Sequence, residues 1–417
     1  MGSPTDAPTD PKLVSVHEHV AAHVERTIDL RRELHRWPEL GNHLPRTRDT
    51  VLEAIDDLPL DVTLHESTSG IVGLLEGDHP GPTMLLRGDM DALEMPEDTG
   101  LDFSSHVDGC MHACGHDTHT AMLASAARVL SERTAELHGR VAFMFQPGEE
   151  GGHGARHMLD EGLLDVPARA DGSASPVDAA FAIHITSSMP TGWFSTRGGP
   201  IMAAADTFNV RVIGKGGHAS EPHRATDPIP VACEIVQALQ TLMTRSIDVF
   251  DPGVLTVGRI TAGTTNNVIP EVAEIEGTIR ATSESTRQRI HEGVRRISHG
   301  VGEAHECEID VLLDIGYPVT SNDDSFAEFS LGLADEVARS TGGRAVRLPN
   351  PVMGAEDFSY VLDEVRGAMV FLGATPPTHD LRTAAPNHSN RVFFEESAMA
   401  NGTAMYTMAA LRHLAAP

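Results

Sequence analysis

Between residues 71 and 185 short apolar runs alternate with helix-spaced segments, and this alternation narrows the choice of fold more than any other feature of the chain. IVGLLEG (71–77), TMLLRGD (83–89), VAFMFQP (141–147) and DAAFAIHI (178–185) read as strands, with a helix from about His116 to Glu132 between the second and third. Strands that alternate with helices need crossover connections, so an α/β domain with a mostly parallel central sheet flanked by helices is expected. VSVHEHVAAHVERTIDLRRELHRWPEL (14–40) reads as a first helix ended by Pro38.

The pattern changes near residue 206. TFNVRVIG, a proline-opened helix in DPIPVACEIVQALQTLMTR, VLTVGRIT, EVAEIEGTIRA, a helix from about Glu284 to Val301 and ECEIDVLLD follow in close succession. This strand, helix, strand, strand, helix, strand order predicts an inserted ferredoxin-like (βαββαβ) domain. The first style resumes near Tyr317, with a helix from Asp323 to Thr341 and a strand at GAMVFLGA (367–374). The expected domains are 14–203 and 315–417 for the two parts of the α/β domain and 204–314 for the insertion; 417 residues suit two domains.

Composition limits the partners. Sixty acidic residues stand against 31 basic ones, a formal net charge of −29, and Lys12 and Lys215 are the only lysines. Such a surface repels phosphate backbones and anionic membranes, so neither nucleic acid nor a membrane is an expected partner. Cysteines at 110, 114, 233 and 307 are too few and too scattered for a disulfide framework. The polar leader MGSPTDAPTDPKLVSV lacks a basic region followed by an apolar run, and Asp6 stands where a myristoylation signal needs Ser or Thr. A cytoplasmic location is expected.

Metal-binding residue types recur where strands end, the edge at which α/β sheets assemble active sites. LLRGDMDAL brings Asp89 and Asp91; MHACGHDTHT brings Cys114 and His116 just before a helix; FQPGEEGGHG brings Glu149 and Glu150; AFAIHI ends on His184; APNHSN presents His388. Taken singly, each has a plainer reading as a turn former, a solvated carboxylate or a hydrogen-bonded histidine. HACGHD alone is also compatible with half of a structural zinc site, but no second paired ligand segment is present. Five such segments favour one shared metal site.

RGDMDAL, MHACGHDTHTAML, FQPGEEGGHGARHM, GGPIMAAADTFNVRVIGKGGHASEPH, DPGVLTVGRITAGTTNNVIPEVAEIEGTIRA, MGAEDF and NHSN occur in one order along the chain, within a likeness that runs from about residue 20 to the C-terminus. With these motifs the chain resembles the M20 metallopeptidase family, in its amidohydrolase branch of aminoacylases, hippurate hydrolases and indole-3-acetyl-amino acid hydrolases. The resemblance implies metal-dependent hydrolysis of N-acyl amino acids, with a dipeptidase or carboxypeptidase as the alternative within enzymes and a non-catalytic metal-binding relative outside them. It implies two divalent metal ions per subunit, zinc or manganese, with cobalt or nickel as further options. The implied ligands are Cys114, His116, Glu150, His184 and His388, with Cys114 bridging. Glu149 falls at the general base and Asp91 at a residue orienting a ligand histidine, with Asp89 as the alternative. The inserted domain is implied to be a lid and the contact of a homodimer, through which His218 reaches a second subunit's site. Asn267 and Arg280 resemble positions that hold the substrate carboxylate, and His112 and His119 are left to support or packing. The chain departs from the branch at Gly88, Glu94, Gly148 and Asn390, of which Glu94 and Asn390 are expected near the mouth of the site.

Overall fold

The computed structural model describes residues 10–416, so the leader up to residue 9 lies outside the described residues. Packing divides the chain into two units. One holds the residues up to Gly199 together with Ser321–Pro349 and Tyr360 onward; the other holds Pro200–Thr320 and Asn350–Ser359.

The first unit contains helices α1 (Pro11–Arg36), α2 (Pro45–Ile55), α3 (His116–Ser131), α4 (Asp324–Ser340) and α5 (Ala398–His413). Its strands are β1 (Leu60–Leu64), β2 (Ile71–Glu76), β3 (His79–Asp89), β4 (His138–Gln146), β5 (Val177–Pro190), β6 (Phe194–Thr196), β7 (Ala345–Arg347) and β8 (Gly367–Thr375). They form one sheet in the order β1-β2-β4-β3-β5-β8-β6-β7. The four central strands β4, β3, β5 and β8 are mutually parallel, and antiparallel pairs flank them. All nine residues of β8 are buried, as are the last seven of β3. Helices cover both faces of such strands, which therefore read as unbroken apolar runs instead of alternating ones. Phe143, Phe181, Ile183, Val370 and Leu372 of the sheet pack with Met122, Leu123 and Val129 of α3 and Met405 and Met408 of α5 in one core.

Local chemistry sets the element ends. Asp10 caps α1 by accepting the Lys12 N–H at 3.0 Å, with Pro11 in the first turn. The helix stops at Arg36, two residues short of Pro38, because proline disfavours helical geometry in the residue before it; Trp37 sits at φ −129°, ψ 59°. Between β3 and β5 the ladder ends at the pair Arg87 and Ala182. Beyond it the Tyr406 hydroxyl of α5 enters the gap, donating to the Arg87 carbonyl at 2.6 Å and accepting the Ile183 N–H at 3.1 Å. The two strands thus part at their carboxyl ends, where side chains gain room to converge.

In the second unit the strand Ala204–Ile213, helix Pro228–Arg245, strands Gly253–Ala262 and Val272–Ala281, helix Glu284–Ala304 and strand Glu308–Ile315 follow in that order. Their four-stranded sheet is antiparallel throughout, with Val272–Ala281 and Ala204–Ile213 in the centre. Both helices pack Val231, Ile235, Leu239, Ile290 and Val294 on one face of it. Asp206 is buried in this unit and is neutralised by Arg287 at 2.6 and 2.9 Å and by His291 at 2.7 Å. Among the described residues no helix is long and apolar enough to cross a membrane.

Candidate metal centre

The strand ends of the first unit bring Cys114, His116, Glu149, Glu150, His184 and His388 into one cluster. Cys114 Sγ lies 3.4 Å from His184 Nε2 and 3.3 Å from His388 Nε2. Glu150 Oε1 lies 3.2 Å from His388 Nε2 and 4.0 Å from His116 Nε2, and Glu149 lies 3.9 Å from the same His116 atom. Of the ligand groups whose donor atoms lie within 4.8 Å of one another, two contain the thiol: Cys114 with His116 and His184, and Cys114 with Glu150 and His388. The thiol is the member common to both.

Backbone geometry makes this approach feasible. Gly115, at φ 91°, turns the chain between Cys114 and His116 and starts α3; a Cβ there would lie 2.4 Å from Ile185 Cγ2. His388 adopts φ 65°, a left-handed conformation that a non-glycine residue holds only under constraint. The constraint comes from its own N–H, which donates to the Ala113 carbonyl, and from Asn387, whose amide donates to the Cys114 and Ile185 carbonyls at 3.2 and 3.1 Å.

Hydrogen bonds fix the tautomers. His116 Nδ1 donates to the Asp91 carbonyl at 2.9 Å and His184 Nδ1 to the Ile185 carbonyl at 2.7 Å, which leaves each Nε2 as the electron-pair donor facing the cluster. The Asp91 carboxylate accepts the N–H groups of Glu149 and Glu150, both at 2.9 Å, so one side chain sets the turn that carries both glutamates. Asp89 is committed elsewhere: it pairs with Arg87 and with His119 Nδ1, each at 2.5 Å, while His119 Nε2 accepts the Ile185 N–H at 2.7 Å. Asp89 and His119 therefore brace the strand end that bears His184, while Asp89 also lies 3.6 Å from His116 Nε2, so that Asp89, His116 and His119 form a further group with donor atoms within 4.8 Å of one another.

The donor set fits divalent metal. His116 Nε2 is buried without a hydrogen-bond partner, a rare condition that a bound cation resolves. Burial alone would raise the Cys114 thiol, but the adjacent His184 and His116 outweigh it and draw it down to about 6. His388 is driven up to about 10 by its bonds to Cys114 and Glu150. A bound cation replaces these protons as the counter-charge. Thiolate, imidazole and carboxylate together suit zinc and its first-row neighbours.

His218, Asn267 and Arg280 belong to the second unit. His218 pairs with Val268 in a two-residue ladder, and the Asn267 carbonyl accepts the Ala219 N–H, so His218 and Asn267 are neighbours. Arg280 sits near the far end of Val272–Ala281, roughly 27 Å along the strand from Val272 at 3.3–3.4 Å per residue. The three do not converge within one unit. Burial lowers the Arg280 guanidinium, and its one recorded hydrogen bond runs to the Ile279 carbonyl. Glu94 is exposed, and the Asn390 carbonyl accepts the N–H of Asp98, which joins the segment after Glu94 to the loop bearing His388. His119 was left to support or packing, and its bracing of the strand end fits that; the roles of Asn387 and Gly115 escape sequence reading, although each adjoins a ligand.

Residues 85–412 match the model of Peptidase family M20/M25/M40. A thermostable carboxypeptidase of Saccharolobus solfataricus is 36% identical over 390 residues, 92% of this chain and 94% of that protein. An N-acetylcysteine deacetylase of Bacillus subtilis is 35% identical over 349 residues, 84% and 88% of the two chains. The crystal structure of a Bacillus subtilis dinuclear metal binding peptidase of the M20 family superposes with TM-score 0.79 at 31% identity, covering 94% of this chain and 99% of that one. Similarity that spans the sheet, α3 and every strand end of the cluster identifies a metal-binding hydrolase acting on amides, and the chain belongs to Peptidase family M20/M25/M40.

Proposed function

We propose that this enzyme hydrolyses the amide bond of N-acyl amino acids, releasing a carboxylate and a free amino acid. The observation that carries the reading is the position of Glu149 beside two ligand groups that share Cys114. Cys114, His116 and His184 would hold one ion and Cys114, Glu150 and His388 the other, zinc or manganese, with cobalt or nickel as alternatives. When bound, two such ions lower the pKa of a water and polarise a carbonyl.

Glu149 takes the proton of the attacking water and returns it to the departing amine, so one carboxylate serves first as base and then as acid. Asp91 keeps the Glu149 carboxylate aimed by holding its backbone N–H, while Glu150, one residue on, stays ionised among imidazoles. His218 supplies a hydrogen bond to the oxyanion from a second subunit. Arg280 and Asn267 hold the substrate carboxylate, Asn267 from the same subunit as His218. In this reading residues 204–314 form a ferredoxin-like lid and dimer contact between the two catalytic segments 14–203 and 315–417.

The carboxypeptidase relative supports a second reading in which the scissile amide is peptidic. A panel of N-acetyl, N-benzoyl and dipeptide substrates on metal-loaded enzyme separates the two, with Glu149→Gln as the control. The proposal expects turnover of N-acyl amino acids well above dipeptides and none in Glu149→Gln at full metal content. Preference for dipeptides, or an active Glu149→Gln, refutes it.

A further inference from the structure

The glycine-rich turn that carries Glu149 and Glu150 is gripped by a second residue besides Asp91. Asn42 reaches it from the loop after α1, and its Nδ2 donates to the Gly152 carbonyl at 2.7 Å. A carbonyl only accepts, so the amide nitrogen lies on that side and Oδ1 faces Gly148. Oδ1 is buried and accepts no hydrogen bond among the described residues. An unpaired buried acceptor costs free energy that a swing of the side chain into water would recover, so the Gly152 bond and close packing must hold it in.

The space Asn42 occupies exists because the turn lacks side chains there. A Cβ added to Gly148 would lie 1.9 Å from Oδ1, and one added to Gly152 would lie 3.2 Å from Nδ2. Gly148 is one of the positions at which the chain departs from the branch it resembles, so the departure and the entry of Asn42 coincide. Gly148 also sits at φ 68°, which L side chains adopt only at a cost, so conformation and contact both favour glycine and need separate tests.

Asn42 is itself anchored. Its carbonyl accepts the Ser69 N–H at 2.8 Å, the Leu44 N–H donates to Ser69 Oγ at 2.7 Å, and the Glu39 carbonyl accepts the Ala92 N–H at 2.9 Å. The last bond joins the Asn42 loop to the neighbour of Asp91, so the two residues that grip the turn stand on connected segments. Within the turn the Gly151 N–H donates to the Glu149 carbonyl at 2.8 Å and the Gly154 N–H to the Gly148 carbonyl at 3.1 Å, which passes a hold on residue 152 to the glutamates.

We propose that Asn42 is a positioning residue for the hydrolysis: its carboxamide, seated against Gly148 and Gly152, fixes the turn that aims Glu149 and Glu150 at the ligand groups. The inference rests on the reading of Glu149 as base and Glu150 as ligand. Four glycines within residues 148–154 leave an unrestrained turn many conformations, and a carboxylate displaced by about 1 Å loses on the order of 10²-fold in rate. Asp91 restrains the start of the turn and Asn42 its middle.

The test is a double-mutant cycle on metal-loaded enzyme with Asn42→Ala, Gly148→Ala and the two combined, read by kcat, KM and hydrogen–deuterium exchange of the 147–155 segment. The proposal expects Asn42→Ala to lower kcat about tenfold with KM within about twofold, and to speed exchange in that segment about tenfold while exchange elsewhere is unchanged. Gly148→Ala both expels Asn42 and strains φ, so kcat should fall about a hundredfold, and the combined variant should be no slower than Gly148→Ala alone. Losses that multiply in the combined variant, or exchange unaltered by Asn42→Ala, overturn the proposal. Glu149→Gln is measured alongside: turnover in it refutes the base reading, whereas the exchange comparison needs no turnover and judges the Asn42 contact separately.

Discussion

Replacing Asp91 with asparagine keeps the shape of the side chain and removes one of its two acceptors. Both carboxylate oxygens are used: one accepts the Glu149 N–H and the other the Glu150 N–H, each at 2.9 Å, and the residue is 1% exposed. Asparagine satisfies one N–H and turns an amide donor toward the other. The loss of a charge-assisted bond costs about 1.5–3 kcal/mol, and an unsatisfied buried N–H about 1–3 kcal/mol. Movement of the glycine-rich turn after Gln146 relieves part of this, leaving roughly 3–4 kcal/mol. At 1.4 kcal/mol per factor of ten, kcat/KM should fall by about 10²–10³. His116 should be spared, because it donates to the backbone carbonyl of residue 91, which the substitution retains. The assay is kcat/KM on the best N-acyl substrate at saturating metal, together with the dissociation constant of each ion. Activity within threefold of wild type, at unchanged metal affinity, would refute the idea that Asp91 positions the two glutamates.

Gly115→Ala introduces a Cβ 2.4 Å from Ile185 Cγ2 at a φ of 91°, so strain and overpacking should together cost about 2–5 kcal/mol and lower metal occupancy; unaltered thermal stability would count against it. Arg31→Ala takes from the buried Asp117 its partner at 2.7 Å and leaves the His35 ring at 2.8 Å, so chemical denaturation should register a loss of about 1.5–3 kcal/mol, whereas a loss below about 1 kcal/mol contradicts the reading. For Glu97, burial opposes ionisation, yet His35, the Ser105 N–H and Thr99 hold its carboxyl down to about 2. Its folded value is depressed, so its contribution is complete above about pH 4.5 and fades as the pH falls toward 2. Glu97→Gln should flatten that part of the acid limb of a melting-temperature profile; an unchanged limb rules the contribution out.

The central strands were readable because burial on both faces writes long apolar runs: TMLLRGD lies inside β3 and VAFMFQ inside β4. β1 was not, since LDVTL alternates apolar and polar residues over only five positions and four of the five are exposed, so the pattern marks no core face. α5 is hidden for the opposite reason. It is buried on every side, so AMANGTAMYTMAALRH shows no polar stripe to mark its period. In the site, ligand types were legible because metal chemistry restricts them to few residues. The braces were legible only in part. Asp91 and His119 stand out as supporting residues but their targets do not, because they and Asn387 act on main-chain atoms of distant segments, and a backbone N–H or carbonyl has no residue type that a sequence can display.

The hydroxyl of Tyr406 gives the parting of β3 and β5 a meaning in time. It reaches Arg87 across 319 positions of chain, and at a synthesis rate of about 5–20 residues per second that interval is on the order of 15–60 s. Throughout it the Arg87 carbonyl and the Ile183 N–H have no tyrosine to meet, and the mouth between the strands is unsupported. His388 also emerges late, only 18 positions before Tyr406. A nascent chain therefore exposes a half-built set of thiol and imidazole donors to the cell for much of its own synthesis, and the site can mature only after translation has passed α5.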